Sequence, residues 1–126
     1  GGLITNRSVQ TITDSSTNPT AAHYVAGFIE CTGGGPDTWT LPTGAALADA
    51  MPDAAPTKGD SFICHVVNSS GGDITYTAGA SGSTLSSSGG GTLVQKDGSI
   101  AQLQFIFTDV TGGSEVYFCL LIADNA

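Results

Sequence analysis

Short runs of strictly alternating apolar and polar side chains, separated by glycine-rich turns, constrain the fold of this chain more than any other feature. Residues 101–107 set Ala101, Leu103, Phe105 and Phe107 on one side, with Gln102 and Gln104 on the other. That period of two is the mark of a strand with one buried face. Residues 115–122 set Val116, Phe118, Leu120 and Ile122 against Glu115, Tyr117, Cys119 and Leu121. Residues 61–67 set Phe62, Cys64 and Val66 against Ile63, His65 and Val67. The spacing of Tyr24, Ala26 and Phe28 against Val25, Ile29 and Cys31 predicts a further strand over 22–31. Shorter strands fit 8–13, 37–41, 73–77, 83–86 and 92–95.

Turn signals divide these runs: Gly33-Gly34-Gly35-Pro36, Asn68-Ser69-Ser70-Gly71-Gly72, Ser86 to Gly91, and Thr111-Gly112-Gly113. Lys96-Asp97-Gly98-Ser99 reads as a two-residue hairpin turn joining 92–95 to 99–107. One helix is predicted over 43–51, where Thr43 can cap the start, Leu47 and Met51 fall four apart, and Pro52 stops it. The expected fold is all-β: an antiparallel β-sandwich or jelly roll of about eight or nine short strands with one short helix. Residues 1–18 read as an N-terminal arm or edge strand, and 19–126 as the domain.

Several function classes are disfavoured by charge. Three Lys and Arg face eleven Asp and Glu, a net charge of −8, yet charged residues are only 11% of the 126. An ordinary domain carries about 25%. The surface is therefore largely neutral Thr, Ser, Gly, Asn and Ala, which argues against nucleic acid, phosphorylated substrates and acidic membranes as partners. The longest apolar runs, near 100–107 and 116–122, are too short to span a bilayer. No membrane insertion and no signal peptide are expected.

Little in the chain points to chemistry. His23 and His65 are the only histidines, each isolated on a predicted strand. No nucleophile elbow, metalloprotease helix, phosphate loop or dinucleotide fingerprint occurs. The Asp residues lie mostly in predicted turns, where such side chains accept from backbone N–H groups. No catalytic, cofactor or metal residue is expected. Cys31, Cys64 and Cys119 form no CxxC pair. They read as small buried hydrophobes, as one disulfide plus an odd thiol, or as links between subunits. Asn6-Arg7-Ser8 and Asn68-Ser69-Ser70 match the glycosylation tripeptide. Trp39 and Tyr76 are the candidates for stacking on a sugar, with core packing the simpler role for Trp39.

Strands 22–31, 61–67 and 115–122 are apolar on both faces, so something must cover the second face. Another copy of the chain is the simplest cover. A homo-oligomer is expected, a trimer first, with Ile63, Val67, Tyr117 and Leu121 at its interface. The alternative is a second core layer within one molecule. Leu3, Ile4, Val9 and Ile12 are candidate anchors of the arm, and Arg7 and Lys58 candidate contact residues.

The stretch from Thr38 to Val116 runs TWTLPTGAALADAMPDAAPTKGDSFICHVVNSSGGDITYTAGASGSTLSSSGGGTLVQKDGSIAQLQFIFTDVTGGSEV. It resembles small jelly-roll domains on the virion surfaces of tailed phages and large DNA viruses. These include capsid decoration (cement) proteins and trimeric fibre heads similar to tumour-necrosis-factor-like domains. The resemblance implies a non-enzymatic virion structural protein that binds the major capsid protein or other virion proteins. The alternatives are a receptor- or glycan-binding fibre head, and an extracellular or cell-surface filament subunit.

Overall fold

The computed structural model describes residues 10–12, 17–52, 55–85 and 92–124. These form, in chain order, β1 (Gln10–Ile12), α1 (Ala21–Ala26), β2 (Phe28–Cys31), β3 (Asp37–Thr40), α2 (Gly44–Ala50), β4 (Ser61–Asn68), β5 (Ile74–Thr77), β6 (Ser83–Leu85), β7 (Thr92–Gln95), β8 (Ile100–Asp109) and β9 (Val116–Asp124). The strands make two sheets, a six-stranded one in the order β1-β2-β4-β8-β9-β6 and a three-stranded one in the order β3-β5-β7. From β2 to β8 every strand lies in the opposite sheet from the one before it. Consecutive strands therefore pair only at β1–β2 and β8–β9.

Alternation decides which side chains line the single core between the sheets. The six-stranded sheet contributes Ile29, Cys31, Cys64, Val66, Leu103, Phe105, Phe107, Tyr117 and Cys119. The three-stranded sheet contributes Trp39, Ile74, Tyr76 and Leu93, and α2 contributes Leu47 and Ala48. Phe105 is its centre. It stacks on Phe62 at 4.9 Å and meets Tyr24 and Tyr117 at tilted angles, at 5.4 and 5.5 Å. Trp39 and Tyr76 meet edge to face at 5.7 Å.

Three expectations need correction. The antiparallel pairing holds for β4–β8, β8–β9 and β5–β7, but β1–β2, β2–β4, β3–β5 and β6–β9 run parallel. A strand that leaves for the other sheet and returns beside its predecessor needs the crossover that parallel pairing requires. This order is also not the double Greek key of an eight-stranded jelly roll. Second, Lys96–Ser99 does form a turn, with Ser99 N–H donating to Lys96 O at 3.2 Å and Gly98 at φ 79°. It carries the chain between sheets rather than joining a hairpin.

Third, residues 22–31 are not one strand, and a second helix is present. Thr20 Oγ1 accepts from His23 N–H at 3.4 Å, while His23 Nδ1 accepts from Thr20 N–H at 3.0 Å. This reciprocal cap starts α1 on two alanines. Gly27 ends it at φ 95°, its N–H donating to Tyr24 O. The strand begins only at Phe28. The predicted helix over 43–51 is present as α2, with Thr43 Oγ1 accepting from Ala46 N–H at 3.1 Å.

Candidate interaction face

The outer face of the six-stranded sheet is assembled by register, row by row. Across the strands run Glu30–Val67–Ile100, then Phe28–His65–Gln102–Ile122, then Ile63–Gln104–Leu120, then Ser61–Ile106–Phe118–Thr84. Eight of these side chains are large and apolar. Ile100 and Ile122 are 56% and 59% exposed, and Ile63 is 39% exposed. Phe28, Val67, Ile106, Phe118 and Leu120 are partly exposed beside them. Among the described side chains the face has no Lys or Arg, and Glu30 is its one carboxylate. Its apolar character makes this face the candidate interaction surface of the molecule.

The outer face of the three-stranded sheet differs. Thr38, Thr40, Thr75 and Thr77 cover it, with Val94 as its one exposed large hydrophobe. Thr40 and Thr77 share a hydroxyl hydrogen bond of 3.2 Å.

A buried polar corner fixes one end of the large sheet. Asn68 Nδ2–H donates to Gly72 O, Lys96 O and Gln95 O at 2.9, 3.1 and 3.3 Å. Its Oδ1 accepts from Ser70 N–H and Ser70 Oγ–H. Gln95 Nε2–H donates to Val66 O and Ser99 O, and its Oε1 accepts from Tyr76 Oη–H at 2.6 Å. Both amides are fully buried. The Asn68 amide is thus a structural tie, with no nitrogen open to glycosylation.

The sequence candidates fall in several places. Ile63 and Val67 lie on the outer face. Tyr117 and Leu121 do not; they point inward, where Tyr117 Oη–H donates to Pro42 O at 2.6 Å and Leu121 packs on the core. Both faces of β9 are apolar, and the pattern alone assigns the inward one wrongly. Ile12 is buried in the core at the β1 edge, and Lys58 is exposed in the turn before β4. Leu3, Ile4, Arg7 and Val9 lie outside the described residues. Trp39 and Tyr76 are both fully buried, so neither ring offers a face to a sugar. Sequence reasoning missed Ile100 and Ile122, although the alternate parity of β8 and β9 contained them.

Cys31, Cys64 and Cys119 are buried thiols. Burial, then the hydrogen bond from Cys31 Sγ–H to Asp37 Oδ2 (3.2 Å) and the Asp37 charge, push the Cys31 thiol up to about 12. Burial, then Cys64 beside it, pushes Cys119 up to about 12 as well. Neither is a nucleophile near neutral pH. A link between subunits would require opening the core. A cleft of about 240 Å³ lies where Ala45, Ser81, Gly82, Ser114, Glu115 and Val116 meet. It holds one carboxylate and two hydroxyls, without a base beside a nucleophile. Among the described residues no group of His, Cys, Asp or Glu is placed to hold a metal, and no helix is long and apolar enough to cross a membrane.

No family model, curated protein or solved structure matches the chain.

Proposed function

We propose that this chain is a non-enzymatic structural protein of a virion surface, which decorates or cements a capsid by burying one sheet face against neighbouring subunits. The observation that carries this reading is the outer face of the six-stranded sheet, with eight large apolar side chains and no fixed positive charge among its described residues. Its partners are copies of itself and the major capsid protein or other virion proteins. The trimer and the capsid seat derive from the resemblance of residues 38–116 to virion domains; the sheet face supports assembly itself. Binding only the assembled lattice would stabilise that lattice by mass action. The neutral Thr-rich outer face of the small sheet suits the side turned to solvent, where few charges attract unwanted partners.

The test uses capsids prepared without this protein, from the particle that encodes it. Added protein is expected to cosediment with them and to raise the temperature at which they lose their contents. The Ile122→Lys variant is expected to do neither. Capsids that bind no protein, and are equally heat-stable without it, would sink the reading. The buried positions of Trp39 and Tyr76 leave the glycan-binding fibre head without its expected site.

A further inference from the structure

We propose that a second copy of this chain covers the outer face of the six-stranded sheet, the two molecules pairing sheet against sheet about a two-fold axis. The proposal rests on the assembly reading above and names the first partner of that face.

Size is the first argument. Four adjacent strands, β2, β4, β8 and β9, carry the apolar rows. At ~4.8 Å between strands and ~3.3 Å rise, the four residues of β2 and about seven of each other strand present a flat footprint of roughly 400 Å². Two copies then cover roughly 800 Å² as flat area, and more as accessible surface once side-chain relief is counted, which approaches the ~1,000 Å² that a specific interface needs. Sheets packed in this way sit ~10 Å apart with interdigitated side chains.

Patch count is the second argument. Among the described residues the exposed large hydrophobics are Ile63, Val94, Ile100 and Ile122. Three of them share this face, and Val94 stands among threonines on the other sheet. A ring of three needs two different complementary patches on each copy, whereas a two-fold contact needs one patch facing itself. One apolar patch therefore favours the two-fold pair over the threefold arrangement that the resemblance implies.

Charge is the third. Each copy carries −8, and Glu30 lies at the β2 border of the face, outside its centre. Among the described side chains no cation on the face offers that carboxylate an ion pair across the interface. The contact is apolar, between two molecules that repel at long range. Salt screens the repulsion and leaves the apolar contact intact. Pairing is thus expected to tighten as salt rises, the reverse of a contact made by charge pairs.

Analytical ultracentrifugation of the full chain from about 1 µM to about 1 mM reads the pairing. A monomer–dimer equilibrium is expected, with Kd falling roughly tenfold between low and high salt. Ile100→Lys and Ile122→Lys should each raise Kd at least about tenfold, and the double variant more than about a hundredfold. Val94→Lys should leave it unchanged. Circular dichroism and the melting temperature report whether each variant folds. Methyl NMR of the wild type on dilution needs no variant: signals of Ile63, Ile100 and Ile122 should move while those of Val94 stay. A monomer throughout the range, a dimer indifferent to the lysines, a trimer, or methyl shifts confined to Val94 would overturn the proposal. A monomer that still binds capsids through an Ile122-dependent contact ends the pairing but keeps the assembly reading; a dimer that binds no capsid does the reverse.

Discussion

At Asn68 one side chain satisfies three carbonyls and takes two donors, all within the corner where β4 ends and β7 turns toward β8. Removing it takes five hydrogen bonds from a buried corner, although Gly72 O still accepts from Ser70 Oγ–H and Lys96 O from Ser99. Asn68→Ala should cost about 2–3 kcal/mol, read from the urea midpoint at constant slope. The buried thiols set a second residue-scale expectation. In the unfolded chain a thiol ionises near 9, whereas Cys31 and Cys119 in the fold hold their protons to about 12. Between these values the unfolded state has lost protons that the native state keeps, so stability falls as pH rises. Burial raises the Tyr24 and Tyr76 phenols above their usual value of 10 and acts in the same direction. Unfolding midpoints should show no loss from these groups below about pH 8 and a steady decline above about pH 9. A midpoint unchanged at pH 10.5 would contradict it.

At the scale of elements, the strands were legible because a half-buried strand must alternate, and α2 because Thr43 and Pro52 mark its ends. The pattern over 22–31 misled because Tyr24, Ala26 and Phe28 alternate on paper while Thr20 and Gly27 impose a helix between them. Pairing was not legible at all. Alternation says that a side chain faces a core, not which strand lies beside it, and here the chain changes sheet at each step from β2 to β8. The interaction face was half legible for the same reason. In β4 the polar His65 marks the outward parity, and Ile63 and Val67 follow it. In β9 both parities are apolar, and only the pairing of Tyr117 with Phe107 turns Tyr117 inward. Close packing at the start of α2 gives a further test. A Cβ on Gly44 would run into the backbone oxygen of Glu115. Alanine elsewhere in a helix gains about 1 kcal/mol over glycine. Gly44→Ala should instead lose about 1–3 kcal/mol, because a backbone cannot yield as a side-chain tip can. A raised melting temperature in this variant would refute the close approach.

The whole molecule has two unlike outer faces on one core, a broad apolar one and a narrow threonine-covered one. In the assembly proposed above, that asymmetry would give each subunit an inside and an outside. The order β1-β2-β4-β8-β9-β6 has another consequence. Among the described strands β9 comes last in the chain yet sits inside the sheet between β8 and β6, so β6 has no partner among them until β9 has been synthesised. During translation the sheet must wait open for β9, and the six-stranded sheet completes only then. Deleting residues 116–126 should leave no cooperative unfolding transition and a collapsed chain that binds hydrophobic dyes. A cell making this protein therefore holds these strands exposed until β9 has left the ribosome, and a ribosome stalled before β9 would display the strands most prone to aggregate.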